Sequence, residues 1–291
     1  MQKFLLPIVF LYVMYGNAQE LHPLEPTKNH YAEFQKLNAQ PNSARNALDR
    51  LSFTPDQYNS VALAYTLMAP AYLTVQQIDE LKKSVNFPAN SSDQTRAELD
   101  FLLEWQEKRT AQQIHRTSKV LAPIGYWPHI NVKKDHDGYA KNIKDLMFEG
   151  REVLGEECTA ENYPATFKLL QGVTNDMRIM EFTVKYHLLR SRPYILEPKL
   201  QPLAIMGSPS FASGHTLWAY IQAFTWSELV PNKRQQFLDL AYEIGESREV
   251  MGIHYPSDEE AARVLAHSML RAMWANPEFQ EDLKTAKKEW E

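Results

Sequence analysis

An all-α helical bundle with a buried central helix and an N-terminal helical extension is the fold class that this sequence predicts, on three observations. Only 10 of its 291 residues are glycine, and Leu, Ala, Glu, Gln and Lys, which lose little on entering a helix, are common. Apolar residues recur at spacings of three and four through most of the chain, the period of a helix with one buried face. No segment alternates in the two-residue period of a half-buried strand, and no internal repeat or low-complexity tract breaks the pattern. With 44% hydrophobic residues, the chain can bury a sizeable core.

Taken in order, the chain opens on a leader-like stretch. Lys3 supplies a positive start, Phe4 to Tyr15 a short apolar run, and Gly16-Asn17-Ala18 a small-residue cleavage site, so removal before Gln19 is expected. Residues 1–18 read as a signal peptide and 19–291 as one domain, with an extension over 19–135 and a core over 136–291. The apolar run is too short to span a bilayer and no later run approaches the length needed. An exported protein, periplasmic or secreted and without stable membrane insertion, is the expectation; an ordinary first amphipathic helix is the alternative. Net charge of −5 argues against nucleic-acid binding, which leaves a basic footprint. The only cysteine, Cys158, excludes an intrachain disulfide, and no motif around it favours a thiolate.

Residues 19–50 are polar, with Pro23, Pro26 and Pro41, and read as an extended arm with at most one short helix. Residues 57–70 are apolar and helical. Thr74 caps a helix to about Val85, Asn86 to Ser92 is a break, and one long helix follows from about Asp93 to Val120. Pro123 to Asp137 is irregular; its Tyr126, Trp127 and His129 suit either a pocket wall or a packed surface loop. Tyr139 to Gly150 reads as a helix closed by its glycine. Thr159 to Arg192 reads as a long helix closed by Pro193, and a proline-rich loop runs from there to Pro209. Gly214 to Leu229 is apolar nearly all round, which marks the buried central helix. Helices over about 233–254 and 258–275 and a charged terminal helix complete the chain.

The chemistry gathers in three segments. On the helix through Phe237, Leu240, Ala241, Ile244 and Met251, Ser247, Arg248 and His254 lie on or beside the core-facing stripe. A buried arginine is costly unless an anion meets it. Pro256 disfavours helix at Tyr255, and Ser257 with Glu260 reads as a capping box opening the next helix. His254 and Asp258 then flank a corner where a carboxylate can hold one imidazole nitrogen and leave the other free. A structural Arg–Asp pair with a packed histidine fits that stretch equally well. Lys185 and Arg192, seven apart, place two cations on one core-facing stripe with Phe182 and Leu189. Ser213 and Gly214 open the central helix, where an N-cap hydroxyl and aligned N–H groups suit an anion. Three buried cations and a donor nest imply an anion with several acceptor oxygens, as in phosphate.

The pattern Lys185-x6-Arg192-Pro193, Ser210-x2-Ser213-Gly214-His215 and Ser247-Arg248-x5-His254-x3-Asp258 resembles the three-part signature of the phosphatidic acid phosphatase type 2 superfamily. Within it the chain is similar to exported class A bacterial non-specific acid phosphatases, on Pro209 to Thr216 and Glu246-Ser247-Arg248. The resemblance covers residues 185–258 and makes 136–291 the catalytic core. It implies a metal-independent phosphomonoesterase with no cofactor, acting on small-molecule phosphomonoesters and inhibited by phosphate or vanadate. His254 is then the nucleophile that becomes a phosphohistidine, Asp258 its orienting carboxylate, and His215 the general acid and base. Lys185, Arg192, Ser213, Gly214 and Arg248 hold the phosphoryl oxygens. Alternatives within the resemblance are a vanadium-dependent haloperoxidase-like enzyme and a lipid or pyrophosphate phosphatase; outside it stands a catalytically idle phosphate binder. Ala212, where the family usually has proline, and Glu249, Met251 and Glu259 depart from the pattern. A carboxylate at the pocket rim is expected to disfavour highly anionic substrates. Assembly into a homo-oligomer is left open.

Overall fold

The computed structural model describes residues 21–24, 26, 30–125 and 137–291. The leader, Tyr126, Trp127, His129 and His136 lie outside the described residues. Those described form thirteen α-helices and no strand, an all-α architecture as the composition implies. None of these helices is long and apolar enough to cross a membrane.

The arm holds one short helix, α1 (Tyr31–Phe34), and a 3-10 segment over Ser43–Arg50. The apolar stretch after it is helical only over α2 (Ser60–Tyr65), where Asn59 caps the start. Thr74 and Gln77 form the capping box of α3 (Val75–Lys83). The single helix expected from Asp93 to Val120 is two. α4 (Asp93–Lys108) stops where Arg109 turns extended, and Thr110 with Gln113 caps α5 (Ala111–His115), which runs into a π turn to Leu121. That T-x-x-Q box was present in the sequence, buried in the continuous apolar period. Arg109 uses the break to donate to the carbonyls of Val250 and Gln201, at 3.0 and 3.1 Å.

The helix expected over 139–150 also divides, into α6 (Tyr139–Leu146) and α7 (Phe148–Leu154). Gly155, at φ 109°, ends it. Gly150 instead lies inside α7 because Trp226 needs the space: a Cβ there would sit 2.7 Å from the indole.

α8 (Pro164–Leu188) carries proline in its first turn and ends earlier than the periodicity suggested. Leu189 adopts φ 53° and reverses the chain. Its carbonyl accepts from Phe53 N–H at 2.8 Å. Arg192 is therefore not on the long helix with Lys185, as the seven-residue spacing implied. It stands extended ahead of the short helix α9 (Pro193–Leu196), because proline disfavours helix in the residue before it.

α10 (Gly214–Leu229) is the buried central helix, with bounds as expected. It packs against α8, α11 (Arg234–Val250) and α12 (Pro256–Met273), and Trp226 stacks on Phe237 with ring centres 5.3 Å apart. α11 ends at Val250 rather than near His254, and Gly252 at φ 69° turns the chain, leaving His254 in the corner. The N-cap of α12 is Tyr255, not Ser257, with Pro256 at N1 and Asp258 at N3. Asp258 Oδ2 closes the cap by accepting Tyr255 N–H at 3.1 Å. α13 (Pro277–Lys287) completes the chain.

Candidate active site

Three chain reversals meet at the start of α10. The extended Arg190-Ser191-Arg192 stretch runs beside the loop entering α10, with Ser210 N–H donating to Arg190 O at 2.9 Å. The corner between α11 and α12 closes the third side, where Ser213 N–H reaches Asp258 O at 3.2 Å.

His254 sits in that corner, 4% exposed. Its Nδ1 lies 3.0 Å from Asp258 Oδ2 and its Nε2 2.9 Å from Arg192 Nη1. A guanidinium can only donate, so Nε2 is the acceptor and Nδ1 carries the proton given to Asp258. Burial first, then the Arg192 charge, hold the imidazole well below its ordinary value, so it is neutral with its Nε2 lone pair facing Arg192.

Asp258 is fully buried and accepts from four donors: Arg190 Nη1 (2.7 Å), Ser210 Oγ (2.5 Å), His254 Nδ1 and Tyr255 N–H. Burial alone would raise its carboxyl; the Arg190 charge and the bonds from His254 and Ser210 overcome that and hold it well below the usual range. The structural Arg–Asp pair that the sequence left open therefore exists, but its arginine is Arg190. Arg190 was not among the expected site residues, because a continuous helix to Arg192 would have pointed it elsewhere. Its guanidinium lies 3.7 Å from the Tyr255 ring centre and also donates to Ser257 Oγ at 2.8 Å. Ser257 donates in turn to Glu98 Oε2 at 2.7 Å.

Lys185, Arg192 and Arg248 are 1%, 3% and 2% exposed. Among the described residues none of them is paired with a carboxylate. Lys185 Nζ donates to the carbonyls of Pro209 and Ser210 at 2.9 and 3.0 Å. Arg192 donates to Ser208 O at 2.9 Å and Ile253 O at 2.8 Å, and Arg248 to Ser247 Oγ at 2.8 Å. Burial first, and for Lys185 also the Arg192 charge, push Lys185 down to about 7 and Arg248 down to about 10. Neutral carbonyls orient these cations without cancelling their charge.

His215, on the first turn of α10, is partly buried, and its Nε2 lies 3.2 Å from Ala122 O, a carbonyl supplied by the N-terminal extension. Burial, then the neighbouring Arg248, hold it well below its ordinary value. Ser213 is the N-cap of α10 and accepts from Thr216 N–H. Gly214 lies against Glu181: a Cβ there would come 2.5 Å from the carboxyl carbon. The structure thus gathers the expected residues about the α10 N-terminus and adds Arg190, Ser210, Ser257 and Glu98. Glu249 and Glu259 do not form a rim. Both are buried, and burial first pushes both carboxyls well above the ordinary range, so neither presents a charge to an incoming anion.

Comparison with known proteins can be set beside this geometry, an all-α bundle with a histidine held between a carboxylate and a cation cluster. Residues 165–281, from α8 into α13, match the family model of the PAP2 superfamily. A non-specific acid phosphatase of Providencia stuartii is 32% identical over 164 residues, 54% of this chain and 64% of that protein. A non-specific acid phosphatase of Salmonella typhimurium is 26% identical over 163 residues, with the same shares. The chain spans about 64% of the length of these curated relatives. Among solved structures, a bacterial vanadium-dependent iodoperoxidase has a TM-score of 0.54 at 16% identity, covering 84% of this chain and 64% of that one. That likeness is one of fold.

Proposed function

We propose that this protein is an exported, metal-independent acid phosphatase that hydrolyses small-molecule phosphomonoesters through a phosphohistidine on His254. The observation that carries the proposal is His254 itself: neutral, fixed at Nδ1 by Asp258, with its Nε2 lone pair directed into a group of cations that lack carboxylate partners among the described residues. A phosphoryl group seated on Lys185, Arg192 and Arg248, with the Ser213 hydroxyl and the Gly214 N–H as further donors, draws Arg192 off Nε2 and presents phosphorus to it.

Nε2 then forms the N–P bond as the P–O bond to the alcohol breaks, and His215 gives that oxygen its proton. An oxyanion on Arg248 offsets the cation beside His215 and favours its protonated form. In the second half His215 takes a proton from water, the water oxygen bonds phosphorus, and the N–P bond breaks to release phosphate. Asp258 stays ionised throughout and stabilises the charge that develops on the imidazole. Export by way of residues 1–18 and inhibition by phosphate or vanadate belong to the same proposal.

Phosphate release from p-nitrophenyl phosphate, set against halide oxidation with peroxide and vanadate, tests it. Hydrolysis without oxidation is expected, and His254→Ala should abolish turnover while inorganic phosphate still binds. A purified protein that releases no phosphate from any monoester would refute the proposal.

A further inference from the structure

Two buried glutamates stand behind this site, and the reaction above uses neither. Glu249 of α11 keeps Oε2, and Glu259 of α12 keeps Oε1, without a hydrogen-bond partner. Both line a cavity of about 10 Å³, room for about one water molecule. The other oxygen of Glu249 meets His30 Nε2 at 3.3 Å. The other oxygen of Glu259 meets Thr216 Oγ1. Thr216 Oγ1 lies 2.9 Å from Ser213 Oγ, and Ser213 is the residue that opens α10 toward the phosphoryl group. A carboxyl, a threonine hydroxyl and a serine hydroxyl therefore form a chain from a small cavity to the site.

Such a chain has a direction, since each hydroxyl has one proton to give. If Glu259 is a carboxylate, Thr216 donates to it and accepts the proton of Ser213. Ser213 then turns only lone pairs toward an oxyanion. If Glu259 is the neutral acid, it donates to Thr216 Oγ1 and Thr216 donates to Ser213 Oγ. Ser213 already accepts from Thr216 N–H, so its own proton is the one left for a phosphoryl oxygen.

We infer that Glu259 is a positioning residue which, acting through Thr216, decides whether the Ser213 hydroxyl donates to the bound phosphoryl group. The inference rests on the phosphatase reading of the site and deepens it. From α12 itself Glu259 faces Asp258, with Glu260 and Arg263 around the cavity; from α11 it faces Arg248 and Glu249, with Glu246 and Tyr242; from α10 it faces Tyr220. Lys185 and Arg192 act on it from further off. Burial leads in favouring the neutral acid, Glu249 and Asp258 add to it, and hydroxyl hydrogen bonding from the start of α10 and the Arg248 charge oppose it. Glu249 is itself kept protonated by burial, then by Glu246 and Glu98. Ser213 accordingly donates while Glu259 is neutral, and oxyanion affinity falls as rising pH ionises Glu259.

A donor to a charged acceptor contributes about ten- to hundred-fold in affinity, and that factor is what the switch controls. The test compares the wild type, Glu259→Gln, Thr216→Val, Ser213→Ala and the Ser213→Ala/Glu259→Gln double variant. Calorimetry gives the Kd of inorganic phosphate from about pH 5 to about pH 9, beside KM for p-nitrophenyl phosphate. The amide introduced by E259Q keeps a donor to Thr216 at every pH. The ratio of wild-type to E259Q Kd should stay near one in acid and climb about tenfold or more in alkali; the titrations of phosphate and of the histidines cancel in that ratio. In the Ser213→Ala background the climb should vanish. T216V, which cuts the chain at its middle, should lose the alkaline weakening as E259Q does, and it decides the matter if E259Q does not fold. E259Q or T216V tracking the wild type at every pH, or a climb that persists without Ser213, overturns the inference. A wild type that hydrolyses phosphomonoesters while the ratio stays flat sinks this inference alone. A wild type that neither hydrolyses them nor binds phosphate sinks the phosphatase reading and this inference together.

Discussion

Replacing Arg190 by methionine removes a cation bonded to Asp258 while keeping much of the apolar volume stacked on Tyr255. Breaking a fully buried ion pair from one side costs about 3–5 kcal/mol. Two features place this case toward the lower end. Arg190 Nε and Nη2 are themselves buried without hydrogen-bond partners, so the variant sheds that desolvation cost. Glu98, whose Oε2 is 3.6 Å from Arg190, is already pushed up by burial to about 7 and can take a proton when the cation leaves. A loss of about 3 kcal/mol lowers Tm by roughly 6–12 °C in a chain of this size.

The activity of the same variant is the sharper test. Asp258 has a depressed folded-state pKa, so it contributes stability above its unfolded value, near about 3.9, and loses it only as pH falls through the lower folded value. Without Arg190 that folded value rises. Both the acid limb of kcat/KM and the acid unfolding transition should then move to higher pH, with kcat at neutral pH less affected. Arg190→Lys, which keeps the charge and loses the planar stack, should recover part of the shift. Thermal melts and pH–rate profiles measure both effects. An Arg190→Met protein with wild-type melting and an unmoved acid limb would show that His254, Ser210 and the Tyr255 N–H alone keep Asp258 ionised, and the positioning role given to Arg190 would be wrong.

Two further expectations concern the cations and the leaving group. Sulfate, which does not itself titrate in this range, should take up protons when it binds near about pH 8, because an anion raises Lys185 from about 7 and both histidines from their lowered values. Calorimetry in two buffers of unlike ionisation enthalpy reads that uptake, and identical heats would refute it. His215→Ala should lower kcat/KM, which reports the phosphorylation half-reaction, by about 10²–10⁴-fold for an alkyl phosphate and far less for p-nitrophenyl phosphate, since nitrophenolate leaves without an acid. Equal losses on both substrates would remove the general-acid role.

The central helix was legible because Gly214 to Leu229 has no polar face and a serine–glycine start: its buried state and its cap are both local properties. His254, Asp258, Lys185 and the α10 opening were legible for a related reason, since polar groups on apolar stripes must meet something. Arg190 escaped because its placement depends on Leu189 taking a left-handed conformation that leucine rarely adopts and no local signal announces. That one residue turns two arginines two positions apart toward opposite ends of the same imidazole–carboxylate pair. The break at Arg109-Thr110 escaped for a different reason. Its capping box was written in the sequence, but the apolar period ran through it and outweighed it. Glu249 and Glu259 were placed at a rim because charged side chains usually reach water. Their burial follows from α11 and α12 both packing on α10, a fact of tertiary structure.

The two sets of buried cations show why this arrangement suits an oxyanion. Arg190 faces Asp258 and Glu98, so its charge is spent inside the protein, and what it yields is a fixed, ionised carboxylate behind His254. Arg192, Arg248 and Lys185 face carbonyl and hydroxyl oxygens, which satisfy their N–H groups but leave their charge uncompensated. Burying such groups is unfavourable, and the depressed values of all three record that cost. A ligand that supplies the missing negative charge recovers it, and one whose charge grows during reaction recovers more in the transition state than in the ground state. Exchanging the two roles, by moving a carboxylate beside Arg248, would stabilise the resting protein and weaken its hold on phosphate in the same step.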